Sequence, residues 1–189
     1  IDDENLHDYS LKEYRVNSMP LIGWSRGLTM IRISGLSKKI KIKSLKDTLA
    51  EVYKPLIENN QIEIIVNEDK IKAAIFPVEN KKQFSFLTEA GLVIGWVGYL
   101  KEKSGYKGGI RCYRKGRLIL EKDFFGHPDT TYSNSINYLF GEVHLDFVKA
   151  TTNKTGFDKD SAEWYEAEEQ MFLILEPYVK ELLKRTDKE

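Results

Sequence analysis

The chain lacks a second cysteine, a long apolar run and an excess of either charge. Cys112 is the one cysteine among 189 residues, so no internal disulfide can form and a reducing compartment is expected. The longest nearly uncharged apolar run, Gly91–Leu100, is far shorter than the ~18 residues that a membrane span needs. The 29 basic and 29 acidic residues cancel, so overall charge does not indicate a nucleic-acid partner. These absences predict a cytoplasmic protein that does not use a membrane.

Motifs for metal binding and for self-contained catalysis are also missing. The three histidines, His7, His127 and His144, have no cysteine, histidine or carboxylate at metal-ligand spacing, so no metal site is predicted. The sequence contains neither a GxSxG nucleophile elbow nor a GxxxxGK[ST] phosphate loop. We therefore predict no complete catalytic site in this chain.

The amino terminus reads IDDENLHDYS, with neither Met nor a basic and then apolar leader. This start predicts that no signal peptide is present and that the chain is a piece of a longer protein. With 41% hydrophobic residues, the chain can form a packed core, which argues against disorder.

The hydrophobic patterning predicts an α+β fold in which a mixed or antiparallel sheet packs in layers with two long helices. Residues 78–91 and 123–137 are predicted to be irregular. Strands are predicted at Leu28–Ser34, Gln61–Val66, Ile71–Phe76, Leu92–Leu100, Gly108–Arg114, Arg117–Glu121 and Gly141–Phe147.

Two capped helices are predicted. The first begins at Ser44, with Asp47 as its capping-box partner, and bends at Pro55; the second is capped by Asp160 with Glu163. A proline at position 177 is expected to kink the second helix. The buried stripes are predicted to be Leu45, Leu49, Val52 and Leu56 in the first helix, and Trp164, Met171, Leu175, Tyr178 and Leu182 in the second.

The segment 101–122 is locally basic and carries interleaved tyrosines. Such a hairpin could contact a phosphate backbone, or it could be a solvated surface whose charges the acidic last helix balances. The second interpretation is favoured because the chain as a whole is neutral. The candidate nucleic-acid contacts are Lys107, Arg111, Arg114, Lys115 and Arg117.

The segment 141–160 reads GEVHLDFVKATTNKTGFDKD and is followed by SAEW. A strand with outward acids leads through a polar loop to Asn-Lys, then to Phe-Asp, and then to a capped helix. This order resembles the transducer domain of GHKL ATPases, the superfamily of gyrase B, mismatch-repair ATPases, heat-shock chaperones and microrchidia proteins. The Asn-Lys-x-x-Phe loop is most similar to that of the microrchidia-like branch.

Two further stretches resemble the same superfamily in order and spacing. Residues 109–119 look like the transducer hairpin, and residues 27–36 look like the closing strand of the Bergerat-type ATP-binding domain that precedes it. The resemblance implies that residues 1–43 hold an arm and the terminal strand of an incomplete ATP-binding domain. It implies that residues 44–189 form a transducer of the ribosomal-protein-domain-two-like layered fold.

The resemblance also implies a role for each loop residue. Lys154, supported by Asn153, would contact the terminal phosphate of ATP, since lysine is a compact charge on a long flexible stem. Phe157 would anchor the loop, and Gly156 would allow an unusual backbone angle. Thr155 and Asp158 would complete the loop.

The nucleotide-binding motifs of the superfamily, an acid-plus-Asn helix and an Asp-x-Gly-x-Gly loop, do not occur in this sequence. ATP and magnesium would therefore belong to the parent protein and not to this chain, which would be inactive alone. The implied partners are an amino-terminal ATP-binding domain of the same protein and a second subunit in an ATP-dependent homodimer. The sequence does not indicate whether that dimer would clamp DNA, a client protein or an invading genome.

Two alternatives stay open. The chain could be a free-standing nucleic-acid-binding α+β module that uses the basic hairpin at 101–122, with binding that weakens steeply in salt. It could instead be a protein-interaction domain that uses the acidic last helix as a docking surface.

Overall fold

The structure, a computed structural model, describes residues 39–101, 105–128 and 134–186. The chain from Ile40 onward forms a compact unit. The predicted strand Leu28–Ser34 and the arm before it lie outside the described residues, as does most of the segment 1–43.

The order of elements confirms the α+β prediction and shows a mixed sheet. Helices α1 (Ile42–Val52) and α2 (Lys54–Glu58) come first, followed by the short strands β1 (Ile65–Val66) and β2 (Asp69–Lys70). Five longer strands and the helix α3 (Ala162–Thr186) complete the described fold. The strands are β3 (Val78–Leu87), β4 (Leu92–Leu100), β5 (Gly109–Arg114), β6 (Arg117–Asp123) and β7 (Leu139–His144), and a 3-10 turn, Asn134–Tyr138, precedes β7.

The five longer strands form one sheet in the order β3-β4-β7-β5-β6. All neighbours are antiparallel except β5 and β7, which are parallel. Strand β7 is inserted between β4 and β5, and it therefore lies at the centre of the sheet. The loop that leaves the end of β7 leads directly to α3.

One face of the sheet packs on α3 and forms the main core. Alternate residues of β4, β5 and β7 point to this face, as a strand period of two requires. The helix contributes a stripe of fully or nearly fully buried side chains. These are Trp164, Ala167, Met171, Leu175, Val179 and Leu182. The predicted stripe is thus confirmed in large part, and Tyr178 is half-buried at its margin.

The opposite face of the sheet is covered in part by α1, α2 and the segment 71–77. A smaller cluster of Trp96, Leu100 and Phe140 packs there against Phe76. Helix α1 buries none of its side chains completely. Arg111 of β5 links the layers: its guanidinium lies 3.0 Å from the Glu51 carboxylate and between the rings of Phe76 and Phe140.

Several predicted helix boundaries differ in the structure. Helix α1 begins at Ile42 after Lys41, without a side-chain cap, so Ser44 lies within the helix. The chain does not bend at Pro55 but breaks at Tyr53, and Pro55 then occupies the first turn of α2, where a missing N–H costs nothing. The second predicted long helix is α3, whose 25 residues continue through Pro177.

The predicted strands differ mainly at their margins. Leu92–Leu100 is confirmed, but it is buried on both faces only from Trp96 onward, since Leu92 and Ile94 are 59% and 46% exposed. The hairpin around Lys115 and Gly116 is confirmed, and both turn residues have positive φ. Of the predicted strand Gln61–Val66, only Ile65–Val66 forms a strand (β1), and it pairs with β2 (Asp69–Lys70). The predicted strand Ile71–Phe76 is wrong, since these residues form no strand.

Residues 78–91 were expected to be irregular, which is wrong. Residues 78–87 form β3, a ten-residue edge strand. Its charged first half hides the alternation that marks a strand, because an edge strand is free to place lysines towards solvent and thereby avoids pairing with other chains. A register shift between Glu79 and Lys82, with Asn80 at φ 52°, breaks the pattern further.

Candidate functional site

The loop of residues 149–161, here the Lys154 loop, closes on itself. Ala150 and Phe157 form an isolated antiparallel bridge. The Asp158 N–H donates to the Lys149 carbonyl at 2.8 Å, and the Thr151 N–H donates to the Gly156 carbonyl at 2.9 Å. The tip enclosed by these contacts, residues 152–155, therefore has a defined conformation, although the loop contains no helix or strand.

Asn153 shapes the tip from inside. Its side-chain oxygen accepts hydrogen bonds from the Thr151 hydroxyl at 2.8 Å, from the Thr155 hydroxyl at 2.8 Å and from the Thr155 N–H at 3.3 Å. Asparagine is well suited to such local bonds to neighbouring backbone and hydroxyl groups. The Asn153 side-chain oxygen thus accepts all three of these hydrogen bonds from residues of the loop, and they stabilise the turn that contains Lys154.

Lys154 occupies the exposed tip with φ 56°, a left-handed conformation that is uncommon for a residue other than glycine. Its N–H donates to the Thr151 carbonyl at 2.8 Å. The ion pairs found among residues 39–101, 105–128 and 134–186 do not include its ammonium group. The strained angle was expected at Gly156, which is wrong, since Gly156 does not have positive φ.

The base of the loop is anchored in the core. Phe157 is 4% exposed, and its ring lies 5.6 Å from that of Trp164, which in turn stacks on Phe125 at 5.5 Å. Lys159 forms an ion pair with Asp123 at the end of β6 and lies 4.7 Å over the Trp164 ring. The burial of Phe157 agrees with the anchoring role that the resemblance implies for it. No pattern in the neighbouring sequence indicated the contact of Lys159 with Asp123.

The end of the loop also differs from its predicted form. The Ser161 hydroxyl accepts from the Trp164 N–H at 3.3 Å and donates to the Asp158 carbonyl at 2.7 Å. Ser161, rather than Asp160, is therefore the residue that caps α3. The Asp158 side chain is exposed.

The basic hairpin is only partly a surface. Lys107 and Lys115 are exposed, but Arg111 is 6% exposed and pairs with Glu51, and the Arg114 Nε donates to the Val148 carbonyl at 2.8 Å. Arg117 is half-buried. The five residues therefore do not form one exposed basic face, and Arg111 is not placed to contact a phosphate backbone. The partner of Arg111 is α1 and not the acidic last helix.

Glu142 of β7, expected to point outwards, is 3% exposed. Its Oε2 accepts from the Trp96 indole N–H at 2.8 Å, and its Oε1 lies 3.2 Å from the Lys54 ammonium. The expectation failed because α2 covers this face of the sheet. Lys54 and Glu142 are 88 residues apart, so no local spacing in the sequence could indicate the pair.

The described residues offer little else of a catalytic kind. Among residues 39–101, 105–128 and 134–186, no group of three or more histidine, cysteine or acidic side chains could hold a metal. Over the same ranges, no helix is long and apolar enough to cross a membrane. Burial raises the pKa of the Cys112 thiol well above its usual value, which makes this residue a poor nucleophile.

The sequence matches no protein-family model and no curated protein. The Lys154 loop is therefore the candidate site by its own geometry: a single cation held at the tip of a loop whose base is fixed in the core. Such an arrangement can contact an anionic group on another domain or molecule.

Proposed function

We propose that this chain is the transducer part of a GHKL-type ATPase and that Lys154 senses the terminal phosphate of ATP. The observation that carries the proposal is the exposure of the Lys154 side chain at the tip of the loop. Its ammonium group extends from an ordered, exposed tip and has no carboxylate partner among the described residues. A charge held free in this way is available to a phosphate, and charge-assisted contacts to phosphate are strong.

The order of residues in the loop supports the same function. In the resemblance described above, an Asn-Lys pair is followed by an anchoring Phe. Here Asn153 supports the tip through three hydrogen bonds, and Phe157 fixes the base against Trp164. The contacts of Asn153 and Phe157 are compatible with the roles that the resemblance implies for them, and they leave the Lys154 side chain exposed to a ligand.

The contact would be sensitive to the state of the nucleotide. When the terminal phosphate leaves after hydrolysis, the charge-assisted bond from Lys154 is lost and the loop is released. Phe157 and Lys159 connect the base of the loop to Trp164 and Asp123. A displacement of the loop would therefore be transmitted to α3 and to the end of β6, and nucleotide state would change the arrangement of domains or of subunits.

The proposal assigns adenine, magnesium and the attacking water to an ATP-binding domain on the same polypeptide. One lysine cannot hold a nucleotide, so we expect calorimetric titration of this chain with a non-hydrolysable ATP analogue and magnesium to give no measurable heat of binding. Stoichiometric binding would mean that the chain has its own nucleotide site, and it would contradict the assignment.

The decisive test is Lys154→Ala in a polypeptide that carries both this chain and the ATP-binding domain. Loss of a hydrogen bond to a charged group costs about 1.5–3 kcal/mol, so we expect ATP turnover to fall by about 10- to 100-fold. Lys149→Ala is the matched control, because Lys149 is an exposed lysine of the same loop. Equal turnover in the two variants would contradict the proposal.

A further inference from the structure

The outer face of α3 carries an apolar stripe that the fold leaves uncovered. Tyr165, Phe172 and Leu173 are 54%, 37% and 59% exposed. With Glu169 and Glu176 they occupy positions i, i+7, i+8, i+4 and i+11, which lie on one side of a helix. This side is turned away from the core stripe of α3.

The Phe172 ring is held in place although it is partly exposed. The His127 ring stacks on it at 4.0 Å with an interplanar angle of 4°, and a ring nitrogen of His127 lies 2.9 Å from the Phe172 carbonyl. An aromatic ring that is fixed before binding loses little conformational freedom when a partner covers it. The stripe is therefore a pre-organised contact surface.

The part of α3 that carries the stripe is acidic, since residues 162–176 contain five glutamates and no lysine or arginine. Glu176 pairs with Lys180, one turn further along the helix, at 2.8 Å, so Glu169 is the carboxylate of the stripe that no ion pair among the described residues neutralises. Pro177 also has no N–H to donate to the Leu173 carbonyl, which leaves an acceptor at the centre of the stripe without its usual helical donor. An apolar surface with carboxylates and a carbonyl acceptor is complementary to a segment in which apolar residues alternate with lysines.

The same chain exposes such a segment at the beginning of α1. Ile40 and Ile42 are 55% and 38% exposed, and Lys41 and Lys43 between and beside them are exposed as well. Helix α1 packs over the sheet face opposite to α3, through the contact of Glu51 with Arg111. The two surfaces therefore cannot meet within one molecule.

We propose that the acidic stripe of α3 binds the basic entry of α1 from a second copy of this chain. The chain has no net charge, so long-range repulsion does not oppose association. The contact joins two different surfaces, so each copy keeps one of them free. Copies then add head to tail, and a chain or a closed ring of more than two copies forms. With few apolar residues on each side, the contact is weak.

Sedimentation velocity over a range of about 10–500 μM tests the inference. At low salt, the average mass should rise with concentration and pass beyond that of a dimer. In about 0.5 M NaCl the distance over which charges act falls below about 5 Å, and the protein should be monomeric. A protein that is monomeric at every concentration in low salt would overturn the inference.

Charge reversal identifies the surfaces. Glu169→Lys/Glu176→Lys makes both surfaces positive, and Lys41→Glu/Lys43→Glu makes both negative. Each double variant alone should associate at least about tenfold more weakly than the original chain. An equimolar mixture should associate again, because every contact between the two variants joins opposite charges. Failure of the mixture to associate would overturn the assignment of these surfaces.

A third double variant controls for the change in net charge. Glu63 and Glu68 are exposed and lie outside both surfaces, so Glu63→Lys/Glu68→Lys should associate like the original chain. Circular dichroism shows whether each variant is folded. The contact does not involve nucleotide or Lys154, so its failure would leave the phosphate-sensing proposal unaffected, and the reverse also holds.

Discussion

Glu142 places a negative charge inside the fold, where its side chain is 4% exposed. The charge is tolerated because Oε2 accepts hydrogen bonds from the Trp96 indole and from the Lys54 ammonium, which also lies 3.2 Å from Oε1. Lys54 is itself 7% exposed and also bonds Glu58 at 2.7 Å. A buried pair of this kind contributes less to net stability than its attraction suggests, but the removal of one partner leaves the other unpaired in the core.

We therefore expect Lys54→Met to lower the free energy of unfolding by about 3–5 kcal/mol, as measured by urea denaturation. Lys70→Met is the control, since Lys70 pairs with Glu63 at the surface, where the side chains are 66% and 53% exposed and a pair contributes about 0–1 kcal/mol. Similar losses in the two variants would show that Lys54 is not needed to neutralise Glu142.

His144, which stacks on Tyr113 at 5.6 Å, should make stability depend on pH. Burial lowers its pKa, and the carboxylates of Asp146 and Glu142 only partly oppose this effect. The folded state therefore prefers the neutral ring. The contribution of the neutral His144 ring to the free energy of unfolding is complete above the pKa of a histidine in the unfolded chain, about 6.5. This contribution is lost as the pH falls from there through the lower pKa of His144 in the folded state.

The corresponding variant is His144→Asn. Between about pH 7 and pH 5.5, the free energy of unfolding of the original chain should fall, and that of the variant should fall less steeply. Urea midpoints at closely spaced pH values measure both slopes. An unchanged slope in the variant would assign the pH dependence to other groups.

At the scale of elements, the predicted cap of α3 lies one residue before the observed cap. Asp160 followed by Glu163 has the spacing of a capping box, yet the hydroxyl that accepts the Trp164 N–H belongs to Ser161. Aspartate and serine are both good caps, and residue 161 is also at the right place to bond the Asp158 carbonyl. Sequence alone does not decide between adjacent candidates, because the choice depends on where Phe157 fixes the preceding loop.

We expect Ser161→Ala to lower the free energy of unfolding by about 1 kcal/mol, whereas Asp160→Ala, at an exposed position, should change it by less than about 0.5 kcal/mol. Thermal unfolding followed by circular dichroism measures both. The opposite order of effects would restore Asp160 as the cap.

The elements that could be predicted are those whose signal is local. Leu92–Leu100 is apolar throughout, which indicates a buried strand. Lys115 and Gly116 form a two-residue connection between two strands, and both have the positive φ that such a hairpin turn requires. Strand β3 could not be predicted, because the charged residues in its first half are typical of a loop. Only its pairing with β4 shows that they belong to a strand. The outward direction expected for Glu142 failed for a similar reason, since α2 reaches it from a distant part of the sequence.

In the candidate site, too, features with a local signal could be predicted, and contacts between distant residues could not. The roles of Asn153 and Phe157 within the loop were expected and agree with their hydrogen bonds and burial. An unusual backbone angle was expected at Gly156, but the left-handed angle of the loop occurs at Lys154, within the tip that the side chain of Asn153 and the bridge between Ala150 and Phe157 hold. The contact of Lys159 with Asp123 joins residues 36 positions apart and could not be predicted from spacing.

At the scale of the whole molecule, the Lys154 loop is continuous with both layers of the main core. Phe157 contacts Trp164 of α3, Trp164 stacks on Phe125 after β6, and Lys159 pairs with Asp123 at the end of β6. A packed core has discrete arrangements and does not deform gradually. Movement of the loop is therefore expected to shift α3 and the β5–β6 hairpin together.

Hydrogen exchange of residues 149–161 tests the central claim most directly, in a polypeptide that also carries the ATP-binding domain. The amides of Thr151, Lys154 and Asp158, which are hydrogen-bonded within the loop, should exchange more slowly with a non-hydrolysable ATP analogue than with ADP. Lys154→Ala should remove this difference, and Lys149→Ala should keep it. Equal exchange with both nucleotides in the original protein would contradict the assignment of Lys154 as a sensor of the terminal phosphate.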